Sequence, residues 1–183
     1  MTDDMQRSAA GAAAVARRVD DLTYRSESTG QTIGLGRVLG GLLREGDVLV
    51  LTGDLGAGKT QLTKGISAGM GATDDVTSPT FTIQMIHAGE RMPLYHFDLY
   101  RLTDPDQLGD AGLYDVLGAD GACVIEWGEQ FSREIGDDRV DVFVSRLDGE
   151  VAPGQEPPRS IRLVPRNARG EELLDRLDAE LGD

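Results

Sequence analysis

The sequence predicts an α/β fold: a mixed β-sheet flanked by helices, with antiparallel hairpin additions. Three observations predict it. The run "DVLVLTG" at residues 47–53 is continuously apolar, as strands buried on both faces of a parallel sheet are. It passes through a glycine-rich stretch into "KTQLTKGISAGMG", which reads as a helix ending at glycines, so strand, loop and helix form one βα unit. Strand-like runs then dominate the second half, which makes the sheet mixed rather than purely parallel.

The elements follow in order. Residues 1–22 read as a flexible tail or frayed helix. The apolar part of "MTDDMQRSAAGAAAVARRVD" is short and mostly alanine, and acids stand where a secretory signal carries basic residues. "DLTYRSEST" is a candidate short strand. "GQTIGLGRVLGGLLREG" places Ile33, Leu35, Val38, Leu39, Leu42 and Leu43 at helical spacing, although its glycines weaken the pattern. Gly34, Gly36 and Gly40 also fall one place short of a dinucleotide fingerprint, in a helical context that does not suit one. "FTIQMIHAGERMPLYHFDLYRL" reads as two strands around a turn, and "TDPDQLGDAGLYDVLG" as short helical pieces. "GACVIEWGEQF" is an apolar strand ending at Glu126. "RVDVFVSRLDGEV" alternates and runs into Asp148-Gly149, a hairpin signal. "APGQEPPRS" is a flexible connection to a last strand, "IRLVP". The expected organisation is one domain over residues 23–166, with residues 167–183 as an acidic C-terminal helix or tail.

Composition narrows the function. The chain has 183 residues, a net charge of −14 and a pI near 4.4. An acidic surface repels nucleic acid, so any RNA would be held by a partner. Cys123 is the single cysteine, which excludes an internal disulfide and a cysteine-based metal cluster. No apolar run approaches the roughly 18 residues of a membrane span. A cytoplasmic location is expected. Only two lysines, Lys59 and Lys64, stand against sixteen arginines, and Lys59 sits in the glycine-rich stretch.

That stretch, Gly53-Asp54-Leu55-Gly56-Ala57-Gly58-Lys59-Thr60, matches G-x-x-x-x-G-K-[ST], a phosphate loop between strand and helix. Glycines let successive N–H groups close on phosphate oxygens, and the helix N-terminus adds partial positive charge. Lys59 supplies a full charge, and Thr60 a hydroxyl able to ligate Mg²⁺. The fold is therefore expected to be P-loop NTPase-like.

A phosphate loop needs acids to hold Mg²⁺ and position water. Asp98, in "YHFDLYR", and Glu126, in "CVIEW", lie at strand ends, where ligands bind in α/β sheets. "VTSPTF" offers Thr77, Ser78 and Thr80 as a switch loop sensing the γ-phosphate, or simply as a polar turn. His87 and His96, nine residues apart with no third ligand, read as ordinary structural or surface histidines rather than a metal pair. Trp127 reads as core or sheet-edge packing, with partner docking as the alternative.

Taken in order, "GDLGAGKT", "VTSPTF", "LYHFDLYRL" and "VIEWGE" resemble the TsaE family of small bacterial ATPases of tRNA threonylcarbamoyladenosine (t6A) synthesis, over roughly residues 24–165. The resemblance implies ATP and Mg²⁺ as cofactors, slow hydrolysis alone, and the partners TsaB and TsaD. TsaD transfers the threonylcarbamoyl group to adenosine 37 of tRNAs reading codons that start with A, and TsaE resets the TsaB–TsaD pair between turnovers. It also implies nucleotide binding by Gly53, Asp54, Leu55, Gly56, Ala57, Gly58, Lys59, Thr60, Thr80 and Asp98, with Thr29 from the N-terminal segment. Lys59, Asp98 and Glu126 take the catalytic positions, and Thr60 and Glu126 ligate the metal.

Two other readings keep the phosphate loop. One is a small-molecule kinase, for which Arg133 and Arg139 would have to serve as lid arginines in a rather short segment. The other is a nucleotide-dependent binding module without enzymatic purpose.

Overall fold

The computed structural model describes residues 15–182, so the start of the expected tail, residues 1–14, lies outside the described residues. The strands are β1 (Arg17–Arg18), β2 (Thr23–Ser26), β3 (Val48–Thr52), β4 (Gln84–Ala88), β5 (Pro93–Asp98), β6 (Ala122–Glu126), β7 (Val140–Arg146) and β8 (Arg159–Pro165). They form one eight-stranded sheet in the order β1-β2-β8-β7-β3-β6-β5-β4. β5, β6, β3 and β7 run parallel, while β4 on one side and β8 on the other pair antiparallel to them. The sheet is mixed, as the sequence predicts.

β3 shows why a continuous apolar run was needed. Its side chains alternate between faces. Leu49 and Leu51 join a core with helices α1 (Thr29–Leu42), α2 (Lys59–Gly69) and α6 (Ala168–Leu181). Val48 and Val50 join a second core with Phe97, Ile125, Phe131, and Leu108 and Leu113 from the short helices α3 (Gln107–Asp110) and α4 (Leu113–Val116). A fifth helix in chain order, α5 (Ser132–Ile135), supplies Ile135 to that second core. Among the described residues no helix is long and apolar enough to cross a membrane. Cys123 is buried in this second core, and burial pushes its thiol up to about 12.

The glycines that weakened the helical pattern of α1 have a packing role. A Cβ on Gly36 or Gly40 would run into the carbonyls of Leu62 and Ile66 on α2. One on Gly65 or Gly69 would run into those of Ile33 and Arg37 on α1. Two helices in near backbone contact admit no side chain at these positions. Burial of the row Leu35, Leu39, Leu42 then outweighs the weak helical propensity of the glycines.

Three boundaries differ from expectation. The tail expected to run to residue 22 ends earlier, because Arg17 and Arg18 pair with Arg25 and Tyr24 and Ala16 is buried. The C-terminal helix is no appendage: its apolar stripe puts Leu173, Leu174 and Leu177 into the core, and Asn167 caps it by accepting from the Gly170 N–H at 2.8 Å. β7 and β8 are antiparallel, but Asp148–Glu150 forms a single 3₁₀ turn rather than a tight hairpin, and the connection closes only where the Leu147 N–H donates to Pro158 O at 2.8 Å.

Candidate active site

The carboxyl ends of β3, β5 and β6 open into a cavity of about 470 Å³. β3 delivers the phosphate loop to its wall. Gly53 is pressed against β7, where a Cβ would strike Val144 O. Gly58 precedes α2 at φ 115°, a conformation that glycine adopts without strain. No side chain caps the first turn of α2, so its N–H groups are left for a ligand. Leu55, Gly56, Gly58 and Thr60 line the cavity, whereas Gly53, Asp54 and Ala57 form the loop behind it.

Lys59 is buried and folded back on the loop, its Nζ donating to Gly53 O and, at 3.1 Å, to Asp54 O. Burial holds its ammonium below the ordinary lysine range, opposed by the charges of Glu126, Glu129, Asp98 and Asp54.

The two expected acids come together opposite the loop. Asp98 ends β5 and Glu126 ends β6, and they are direct partners in the parallel register. Both are buried, at 4% and 2% exposure. Ser78 Oγ lies between them, 2.8 Å from Asp98 Oδ2 and 3.0 Å from Glu126 Oε2. Thr80 Oγ1 donates to Asp98 Oδ2 at 3.0 Å, and Thr60 Oγ1 to Glu126 Oε1 at 3.4 Å. Of the three hydroxyls in the 76–81 loop, Ser78 and Thr80 thus engage the acids, while Thr77 Oγ1 lies 4.0 Å from Met85 Sδ, away from them. Among the described residues no lysine or arginine forms an ion pair with Asp98 or Glu126.

The donor set suits Mg²⁺: hard oxygens only, with two carboxylates that lack a cation. No group of three or more His, Cys, Asp or Glu among the described residues is placed to hold a metal ion by itself. Mg²⁺ is held in other proteins by one or two carboxylates, with phosphate oxygens and waters completing the octahedron.

Thr29 also lines the cavity, but its N–H and hydroxyl both bond Glu156, the N–H at 3.0 Å. Those bonds, with Arg159 nearby, hold the Glu156 carboxyl down at about 2.

Four lining residues, Gln61, Tyr100, Trp127 and Arg159, escaped the sequence reading of the site. Arg159, from β8, is buried beside the loop, its Nε donating to Ala57 O at 3.1 Å and its Nη2 2.9 Å from Glu156. Its Nη1 is buried without a partner. Nothing in "PPRS" signals this, since the contact depends on how β8 folds back against the loop. Trp127 was read as packing, and strand alternation alone would turn it away from Glu126. Its φ of 59° instead swings the ring over Lys59, with Nζ 4.5 Å from the ring centre. Such a conformation is strained for a residue with a Cβ, and strain of this kind concentrates at functional sites. Tyr100 packs against Trp127, its ring tilted by 59° with centroids 5.0 Å apart. Arg139, one of the lid arginines a kinase would need, is elsewhere, buried and bonded to Asp141 at 2.7 Å.

Known proteins share sequence and fold with this chain. Residues 26–152 match the family model described as "Threonylcarbamoyl adenosine biosynthesis protein TsaE". A "tRNA threonylcarbamoyladenosine biosynthesis protein TsaE" from Treponema pallidum is 43% identical over 122 residues, covering 67% of this chain and 90% of its own. One of the same description from Nostoc is 42% identical over 146 residues, covering 78% and 85%. The crystal structure of Bacillus subtilis YdiB superposes with a TM-score of 0.73 at 29% identity, covering 91% of this chain and all of that one. The phosphate loop, the paired acids and the hydroxyl loop all fall inside the matched region, and the chain belongs to the TsaE family of t6A biosynthesis proteins.

Proposed function

We propose that this chain is the ATP-binding and ATP-hydrolysing component of the system that forms t6A at position 37 of tRNAs reading codons that start with A, and that it acts through TsaB and TsaD. One observation carries the reading. A buried lysine and an uncapped helix N-terminus face two buried carboxylates, which form no ion pair with a lysine or arginine among the described residues, across a cavity of about 470 Å³.

The residues divide the work. Lys59 and the N–H groups of the Gly53–Thr60 loop bind the phosphates. Arg159 Nη1 offers a further donor beside the loop. Thr60 and Glu126 would hold Mg²⁺, and Asp98 would orient water, with the single Ser78 hydroxyl proton donating to either acid. Bound Mg²⁺ would supply positive charge against the phosphate oxygens. Ser78 and Thr80 are placed to respond to the γ-phosphate, because any shift of Asp98 or Glu126 moves their hydroxyl bonds. With a net charge of −14, the chain leaves tRNA binding to its partners.

The test is ATP hydrolysis by the purified protein, alone and with TsaB and TsaD, beside a Lys59→Ala variant. Weak activity alone, stimulation by the partners and loss of nucleotide binding in the variant are expected. Equal rates with and without partners contradict the complex-dependent role, and unaltered binding by Lys59→Ala contradicts the phosphate cradle.

A further inference from the structure

The two histidines, read from sequence as ordinary structural residues, are both fully buried and stand in line with the site. His87 on β4 meets Asp74 through Nδ1, and its Nε2 lies 3.5 Å from His96 Nδ1 on β5. His96 Nε2 lies 3.7 Å from Glu126 Oε1. It is also a buried side-chain nitrogen with no hydrogen-bond partner. The strand pattern explains the alignment. Leu94, His96 and Asp98 share one face of β5, and Asp98 is the register partner of Glu126. The line thus runs from a half-exposed carboxylate in the loop after α2, through two buried rings, to Glu126.

We propose that His96, itself fixed by His87 and Asp74, is a positioning residue for the Glu126 carboxylate. This inference rests on the reading of Glu126 as a metal ligand. A purely structural histidine pair would have its polar atoms satisfied within the core. Here one nitrogen is left over, and it faces the candidate ligand. The carboxylates at the two ends accept hydrogen bonds, so His87 Nδ1 and His96 Nε2 serve by donating. With one proton on each ring, the facing His87 Nε2 and His96 Nδ1 are both acceptors, and His87 fixes His96 by ring packing, with centroids 5.7 Å apart, rather than by a hydrogen bond. A shift of about 0.5 Å brings the Glu126 contact within hydrogen-bond range. Glu126 is then held from both sides, Oε2 by Ser78 and Oε1 by His96. Asp74 and Ser78 belong to the same loop, so the line ties the base of the hydroxyl loop to the carboxylate that its tip already bonds. Ligand carboxylates are commonly oriented in this way by outer partners.

The experiment measures Mn²⁺ affinity in the presence of ADP by electron paramagnetic resonance, and ADP affinity without metal by Trp127 fluorescence. Wild type is compared with His96→Gln, His96→Asn and Asp74→Ala. The longer amide of His96→Gln reaches where Nε2 stands and can bond Glu126, whereas that of His96→Asn reaches only the Nδ1 position. About a tenfold loss of Mn²⁺ affinity is expected for His96→Asn. His96→Gln stays within about threefold of wild type, Asp74→Ala loses about two- to threefold, and metal-free ADP affinity is unchanged throughout. Equal Mn²⁺ affinities for His96→Asn and His96→Gln overturn the proposal, as does a parallel loss of metal-free ADP binding. If the His96 variants do not fold, the surface variant decides, and wild-type Mn²⁺ affinity in Asp74→Ala overturns it. Wild-type protein that binds ADP without any response to Mn²⁺ overturns the metal-site reading itself, a different outcome from His96 variants that match a metal-responsive wild type.

Discussion

The parallel strands carry buried carboxylates at both of their ends, and the two sets are partnered differently. At the amino ends, Asp47 precedes β3 and Asp141 lies early in β7, with 9% and 7% exposure. Arg169 bonds Asp47 at 2.7 and 2.9 Å, and the Arg44 N–H adds a third bond at 2.8 Å. Asp141 is bonded by Arg139 at 2.7 Å and by Arg166 at 2.6 Å. At the carboxyl ends, Asp98 and Glu126 are buried as deeply but are met by hydroxyls. A buried carboxylate is costly without a cation. The amino end supplies its cations from the chain, while at the carboxyl end no lysine or arginine among the described residues forms an ion pair with Asp98 or Glu126, the place that the proposed metal would take. On that proposal the difference separates carboxylates that hold the fold from carboxylates that serve the site, a distinction burial alone does not draw.

The contrast can be broken by substitution. Glu126→Ala should lower ATP hydrolysis by about a hundredfold or more, because metal placement supplies several kcal/mol, while some nucleotide binding survives on the phosphate loop. Steady-state turnover beside a binding titration checks this, and a wild-type rate would remove Glu126 from the metal site. At the other end, Asp141→Ala leaves buried Arg139 with only the exposed Asp137 and backbone carbonyls as partners, and should cost about 1–3 kcal/mol of stability in urea denaturation, with nucleotide affinity retained. A loss below about 1 kcal/mol would show that the arginine pairing is not what holds that end.

A finer test inverts the sign. Glu126→Gln removes a buried charge that lacks a cation, so the nucleotide-free protein should gain about 1 kcal/mol even as activity falls. Thermal unfolding without nucleotide reads it, and destabilisation would mean that Glu126 is already compensated.

The smallest effect lies in pH. The amino end is held by arginines, which do not titrate in the working range. The carboxyl end uses Lys59, whose pKa burial lowers below 10.5. Folded Lys59 therefore binds its proton less readily than unfolded Lys59. Its ammonium disfavours folding at neutral pH, and that penalty fades as pH rises through the folded value toward 10.5. Nucleotide affinity needs the ammonium and should decline over the same rise, beginning at a lower pH than an exposed lysine would give. Affinity that stays flat until an ordinary lysine titrates would place Lys59 in a wetter site.

What was legible in the sequence was local. The phosphate loop announces itself because its glycines, lysine and threonine are adjacent, and the apolar run before it fixes the central strand. Asp98 and Glu126 could be named because each ends a strand, but their register pairing could not. The glycines of α1 weakened a helical reading that holds, since their use lies in contacts with α2, out of reach of a local pattern. Arg159 was invisible for the same reason, its role resting on a return of the chain to Ala57. Trp127 was read as packing, and its place over Lys59 was not legible because it depends on a backbone φ of 59°. The last helix showed its apolar stripe, but a stripe does not say what it will cover.

The most direct test of the central contrast is ADP affinity measured by calorimetry with and without Mg²⁺, in wild type and Glu126→Gln. Tighter binding with Mg²⁺ in wild type, and no such gain in the variant, is the predicted result. A gain of equal size in both, or none in either, would contradict a metal held by the unpaired carboxylates at the carboxyl ends of the sheet.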